Sequence, residues 1–341
     1  MTLFIFLLSL VGLLCPKCEE TELVFVGDAM QHGPQISAAL RAGGGKEYDY
    51  SDCFKYLALE ISSAHFAVAN LECPLGGKPY SGYPQFSAPD AFAYSLKKAG
   101  FDLLLTANNH CLDRGASGLQ RTIATLDSLR MPHIGTYNSL EERGRILPCI
   151  KKVNGIDIAF LTYTYGTNGI PLPKGKVVDV IDRQQIHHDI AASRLAGADI
   201  VCVCMHWGEE YFMKPRKEQR DLADFLLEEG VDLVIGSHPH VVETMETPVV
   251  DGSKRVVVYS LGNFISNQNN PESRGGAMVK VKIAKSGKKY VVRDATMSLF
   301  YCQKPVAGKN YILIPESRPD LVHPSQKANF DAFIKATRKT L

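Results

Sequence analysis

Gly236-Ser237-His238-Pro239-His240 follows the apolar run Val231 to Ile235, so two imidazoles stand two residues apart where a buried strand runs out into a loop. A strand end of this kind can turn both rings toward one point, and neutral imidazole is the commonest protein ligand for Zn, Mn or Fe. The same arrangement recurs along the chain. Asp28 follows Leu23 to Val26, Glu72 follows Phe66 to Ala69, Asn109-His110 follows Asp102 to Thr106, and His206 follows Ile200 to Met205. In open parallel α/β sheets, ligands bind outside the carboxyl ends of the strands, where loops converge. The regularity therefore predicts an α/β fold in which Asp28, Glu72, Asn109, His206, His238 and His240 meet at one edge.

Helical periodicity fills the intervals. Asp90 is placed to cap a helix carrying Phe92, Leu96 and Ala99 on one face and closed by Gly100; Leu119, Ile123 and Leu126 repeat on the next, and Leu222, Phe225 and Leu226 on a third that stops at Gly230. Strand and helix alternate from residue 22 to residue 240, which predicts a mainly parallel sheet covered on both faces. Beyond that, Ala277 to Ile283 and Tyr290 to Leu299 alternate as an antiparallel hairpin turning at Ser286-Gly287.

The 341 residues show no linker at which to divide them. The segments richest in Gly and Pro, Cys73 to Pro89 and Gly166 to Gly175, follow strand ends and read as loops over a site. A net charge of +2 with scattered Lys and Arg excludes a nucleic-acid surface, and Lys285, Lys288 and Lys289 read as solvated turn residues. Leu3 to Leu14 is apolar apart from Ser9 and Gly12, too short to span a bilayer and suited to the core of an export signal. No Lys or Arg precedes it, and no small-x-small site follows. Gly12-Leu13-Leu14-Cys15 approaches a lipoprotein box, with Leu14 where a small residue is expected. The expected layout is a targeting segment over 1–20, one domain over 21–300 and a C-terminal extension packed on it over 301–341. The expected location is the cell envelope, either periplasmic or membrane-anchored. Outside the targeting region seven cysteines remain, an odd number without repeated spacing, and Cys202 and Cys204 read as small buried hydrophobes on one strand face.

Six segments in order carry a family resemblance: Val26-Gly-Asp-Ala-Met30, Asn70-Leu-Glu72, Ala107-Asn-Asn-His110 with Asp113-x-Gly115, His206-Trp-Gly-x-Glu210, Gly236-Ser-His-Pro-His240 and Ser260-Leu-Gly-Asn-Phe264. Over residues 22 to 300 the chain resembles the CapA family, named for capsule and poly-γ-glutamate biosynthesis, whose fold is similar to that of calcineurin-like metallophosphoesterases. The resemblance implies a four-layer α/β sandwich with mainly parallel central sheets, and a centre for one or two divalent ions, Zn, Mn or Fe. Carried over by position, it implies Glu72 as the bridging carboxylate. Asn109, His206 and His238 would complete one metal, Asp28 and His240 would contribute to the other, and His110 would act as proton donor with Asn109 beside it. One position departs from the pattern. Phosphoesterases place a His two residues after the first Asp, and here that residue is Met30, a poor ligand for a hard dication; the second ion is then weak, absent or served by His32.

Several residues carry two readings. Asp28 is a ligand or a helix cap, and His110 a proton donor or a satisfied core histidine. Trp207 is core packing or a lid. Asn263 caps a turn or faces the crevice, and Asn168 binds substrate or forms a turn. A site of two carboxylates and neutral N and O ligands around dications suits an anionic substrate. The chain thus reads as an exported metal-dependent hydrolase or transferase acting on an anionic polymer, such as poly-γ-glutamate or capsule, or its precursor. The alternatives are a non-catalytic factor of a capsule synthesis or export complex, and a phosphoesterase on sugar phosphates or nucleotides.

Overall fold

A computed structural model describes residues 20–341. The export signal expected in Leu3 to Leu14 lies outside the described residues. No helix among the described residues is long and apolar enough to cross a membrane.

Two large sheets face one another. The first has eight strands, ordered Ile312–Pro315, Lys289–Gln303, Gly275–Ser286, Thr21–Ala29, Phe66–Leu71, Leu103–Leu105 and His133–Ile134, with Asn263–Ile265 pairing the far end of Thr21–Ala29. The four consecutive strands from Thr21–Ala29 to His133–Ile134 are parallel, and the hairpin and the last strand are antiparallel. The second sheet has six, ordered Met245–Glu246, Val256–Val258, Leu233–Ser237, Ile200–His206, Ile156–Thr164 and Cys149–Val153, parallel except at its two edges. Alternation along each strand explains the layers. From Thr21–Ala29, Leu23 and Phe25 enter a core shared with Phe160, Cys202, Cys204 and Ile235 of the other sheet. Val24 and Val26 point the opposite way, onto Phe92, Leu96 and Leu126 of the helices Asp90–Ala99 and Gly115–Ser128. The outer face of the second sheet, with Leu161, Val203 and Val234, is covered by Ile186, Ile190, Leu222 and Leu226. The order is helix, sheet, sheet, helix.

This is the four-layer sandwich with mainly parallel sheets that the resemblance implies; the sheet covered on both faces, read from strand and helix alternation alone, is two sheets, each helix-covered on one side only. Parallel strands buried on both faces look alike in sequence whether a helix or a second sheet does the covering. The boundary expected at residue 300 also falls inside a strand, Lys289–Gln303. The segment beyond it supplies an edge strand and a helix, Lys327–Thr340, whose Phe330 and Phe333 enter the inter-sheet core. Asp90 does not cap its helix: Pro89 holds that position, and the Asp90 carboxylate pairs with both terminal nitrogens of Arg121 at 2.7 Å.

One crossover joins the sheets at the edge that matters. After Val256–Val258 the chain leaves the second sheet, passes through Ser260-Leu261-Gly262 and enters the first as Asn263–Ile265, beside Asp28. The fit is close. A Cβ on Gly236 would lie 1.9 Å from the Tyr259 carbonyl oxygen, and one on Gly27 would lie 1.9 Å from that of Gly262, so both strands need glycine where the crossover touches them. Leu261 N–H donates to the Gly236 carbonyl at 3.1 Å and Asp28 N–H to that of Gly262 at 3.0 Å. This double attachment holds the carboxyl ends of strands from different sheets against each other.

Candidate metal centre

Asp28 stands near the end of its strand, wholly buried, and its carboxylate is the meeting point of both sheets. Oδ1 accepts from Asn70 Nδ2 at 2.7 Å; Oδ2 accepts the His238 backbone N–H and faces His240 Nδ1, both at 3.2 Å. Glu72, one residue past Phe66–Leu71, is also wholly buried, and neither carboxylate oxygen has a hydrogen-bond partner. Its Oε1 lies 3.5 Å from His206 Nε2 and 3.7 Å from His240 Nε2. His206 Nε2 also faces Asn109 Oδ1 at 2.9 Å. On the other side of that ring, Nδ1 lies 3.0 Å from Ser237 Oγ and 3.2 Å from Asn70 Nδ2. Asn109 Oδ1 can only accept, so Nε2 carries the proton here; a cation at Nε2 would displace it and leave Nδ1–H to donate to Ser237 Oγ, the arrangement that orients metal-binding imidazoles. His238 Nδ1 is buried without a partner.

The backbone at the two histidines is held in an unusual form. His238 has φ +100° and His240 φ +59°, left-handed conformations that cost non-glycine residues about 1–3 kcal/mol each. Between them Pro239 fixes its own φ and stiffens the link between the two turns, and both rings reach the surroundings of Glu72.

Electrostatics agree with a cation-binding role. Burial, followed by the charges of Asp28 and Glu210, pushes the Glu72 carboxyl well above the usual range. Burial and the neighbouring imidazoles push His206 well below its ordinary value, and burial with His240 lowers His238 to about 3. These rings are neutral at physiological pH with lone pairs available, as ligation requires. Two groups of ligand atoms lie within 4.8 Å of one another, Glu72 with His238 and His240, and Asp28 with Glu72 and His206. The donor set fits divalent cations: orphaned Glu72 oxygens, an orphaned His238 nitrogen, and hard oxygen and imidazole donors without thiolate. Glu72 is common to both groups, as a bridging position requires. The resemblance pairs His238 with His206 and Asn109, and His240 with Asp28, and Asp28 Oδ2 does lie 3.2 Å from His240 Nδ1.

His110 sits at the rim. Its Nδ1 lies 2.8 Å from Asp113 Oδ2, which also accepts the Phe86 N–H at 2.8 Å, and the Phe86 ring meets the imidazole edge-on at 4.7 Å. The remaining nitrogen, Nε2, is left for the cavity of about 320 Å³ that His110 lines with Met30, His32, Tyr83, Glu210, Tyr211 and His240. Asn168 holds Asn109, its Oδ1 accepting from Asn109 Nδ2 at 3.2 Å, and Tyr165 lies over His238 at 4.6 Å between ring centroids.

Three expectations are corrected. His32 lies at the cavity wall but joins neither ligand group: it precedes the helix Gly33–Ala42, its N–H donates to Gln35 Oε1 at 2.8 Å, and its Nδ1 accepts the Asn267 N–H at 3.4 Å. Trp207 is core packing, 2% exposed, with its indole N–H on the Tyr259 carbonyl at 2.8 Å. Asn263 does not reach the cavity; its Nδ2 donates to the His240 carbonyl at 3.2 Å and the Ser273 carbonyl at 2.9 Å, fixing the loop that carries the histidines. Cys111, which follows His110, is buried, and its thiol is pushed up to about 12, so it stays protonated and unreactive. Asn70, Ser237 and Asp113 stand inside the six motif segments, yet their support of site residues is invisible in sequence wherever the partner lies on another strand.

Fold and site define a class: an α/β/β/α protein with a buried carboxylate–imidazole cluster, a candidate cation site, at the carboxyl ends of its two sheets. The family described as bacterial capsule synthesis protein PGA_cap matches residues 22–268, and the chain belongs to that family. It is similar to the PGA biosynthesis protein CapA of Bacillus subtilis (strain 168), 34% identical over 193 residues, which covers 56% of this chain and 50% of the relative. It is also similar to the capsule biosynthesis protein CapA of Bacillus anthracis, 27% identical over 282 residues, 79% of this chain and 65% of the relative. The chain thus spans half to just under two thirds of the length of these relatives. Among solved structures it is similar to the calcineurin-like phosphoesterase YfkN of Bacillus subtilis, with TM-score 0.49 and 13% identity, covering 94% of this chain and 99% of that one. A phosphatase of Mycoplasma pneumoniae gives TM-score 0.46 and 12% identity, covering 83% and 94%.

Proposed function

We propose that this protein is an exported, metal-dependent hydrolase of the cell envelope that cleaves an anionic polymer such as poly-γ-glutamate, or its precursor. The observation that carries the reading is Glu72, wholly buried, with both oxygens unpartnered and imidazole nitrogens of two other loops at 3.5 and 3.7 Å. A buried carboxylate without a partner is costly, and a cation between these groups removes the cost. Asp28, Glu72, His206, His238 and His240, with Asn109, are the residues that would hold one or two divalent ions. Bound there, such ions supply positive charge for a carboxylate or phosphate and make water more acidic.

The chain's own groups do the rest. Asp113 accepts a hydrogen bond from His110 Nδ1 and fixes the ring, and Phe86 packs against it. His110 Nε2 then delivers a proton to the leaving amine of a cleaved γ-amide, or to the leaving oxygen of a phosphoester. A second reading, a non-catalytic factor of capsule assembly or export, draws its support from buried Met30, which gives the Asp28 side no further nitrogen ligand.

Turnover separates the readings. The full chain loaded with Mn²⁺ is expected to release new amino groups from poly-γ-glutamate, and His110→Ala to slow this by about 10²–10⁴-fold. Phosphate release from a panel of phosphoesters without amine release would transfer the activity to phosphoester chemistry. No turnover of either substrate in the metal-loaded protein would reject the enzyme reading in favour of an assembly role.

A further inference from the structure

The motif His206-Trp-Gly-x-Glu210 ends in a carboxylate that belongs to neither ligand group. Glu209 and Glu210 are neighbours with opposite fates. Glu209 turns outward and pairs with Arg216, Oε2 lying 2.7 Å from Nη2 and 2.8 Å from Nε. Glu210 lines the same cavity as His240, His110 and Met30, and among the described residues it makes no ion pair.

The backbone holds it there. Tyr211 has φ +68°, which a bulky aromatic residue seldom adopts, and its N–H donates at 2.8 Å to the carbonyl of Pro239, between the two site histidines. The peptide following Glu210 is thus pinned to the loop that carries His238 and His240. Glu210 thus brings a carboxylate to the cavity wall that His240 and Met30 also form.

We propose that Glu210 is the remaining ligand of the second cation site, supplying beside His240 the donor that Met30 cannot. The proposal rests on the metal-dependent reading and extends it. His240 faces Asp28 Oδ2 at 3.2 Å through Nδ1 and Glu72 Oε1 at 3.7 Å through Nε2, so these three residues form the buried side, and Glu210, half-buried at the cavity wall, lies on the solvent side. A hard oxygen donor suits Mn²⁺ or Zn²⁺ where a thioether does not.

The test is Mn²⁺ binding by calorimetry, with electron paramagnetic resonance for coupling between ions, on the full chain, on Glu210→Gln and on Glu209→Gln. Wild type and Glu209→Gln are expected to bind two ions with a coupled spectrum. Glu210→Gln is expected to keep the first ion at unchanged affinity while the second weakens by more than about 100-fold, above the usual effect of an outer partner, and the coupling disappears. Two ions in Glu210→Gln at wild-type affinity would overturn the proposal, as would a single ion in the wild type. Equal loss in Glu209→Gln would overturn it too, because disturbance of the loop would then explain the effect. Wild type binding no ion would instead remove the metal-dependent reading itself.

Discussion

At the scale of single residues, the site is a set of polar atoms whose partners are missing or shared. Glu72 and His238 Nδ1 are buried and unpaired, whereas His110 Nδ1 is fully engaged by Asp113 at 2.8 Å. That contrast separates ligand from proton donor. His238→Ala is expected to lower Mn²⁺ affinity by more than about 100-fold, above the roughly 10–100-fold that loss of an outer partner costs, while His110→Ala leaves binding within about twofold and impairs turnover. Equilibrium dialysis of both variants measures this, and equal metal loss would dissolve the division of labour.

Single elements place these atoms by close approach. The strand Leu233–Ser237 delivers His238 and His240 only because Gly236 lets the crossover after Tyr259 pass at contact distance. Gly236→Ala would put a methyl 1.9 Å from a backbone oxygen, so no flexible side chain can yield. Overpacking of this kind costs about 1–3 kcal/mol or more. The urea midpoint of Gly236→Ala is expected to fall accordingly, with weaker metal binding as the histidine loop shifts. A midpoint equal to wild type would show that the crossover is looser than its geometry implies.

For the whole molecule, buried charge sets the dependence of stability on pH. Glu243 lies behind the site loop, wholly buried, with Gln219 Nε2 donating to one oxygen at 2.8 Å and the other unpaired. Burial pushes its carboxyl up to about 7, against the opposing influence of Gln219, Arg220 and Arg216. A carboxyl raised on folding holds its proton longer in the native state, so stability is full below the unfolded value near 4.5 and is lost as pH rises through 7. The ceiling of this loss is about 3 kcal/mol. In metal-free buffer, Glu243→Gln is expected to narrow the fall in unfolding free energy between about pH 5 and pH 8 relative to wild type. An identical fall in both proteins would exclude Glu243 as its source.

Much of this molecule is legible from local pattern. The candidate ligands Asp28, Glu72, Asn109, His206, His238 and His240 can be located because a strand end is a one-dimensional feature, an apolar run meeting a polar residue, and a parallel sheet gathers such ends at one edge. The C-terminal hairpin is legible for the same reason, through period-two alternation. What covers a strand is not encoded in its own periodicity, so the division into two sheets is legible only through the resemblance of the six motif segments, and the passage of Ser260-Leu261-Gly262 between the sheets emerges only in three dimensions. Side-chain direction at irregular backbone is hidden likewise. Trp207 and Glu210 flank one turn and look equally able to face the site, yet Trp207 packs into the core and Glu210 faces the cavity. Arrival at the carboxyl edge of the sheets is thus written into each strand's own residues. Which of the arriving side chains share a cation is not, because that depends on contacts between strands far apart in the chain.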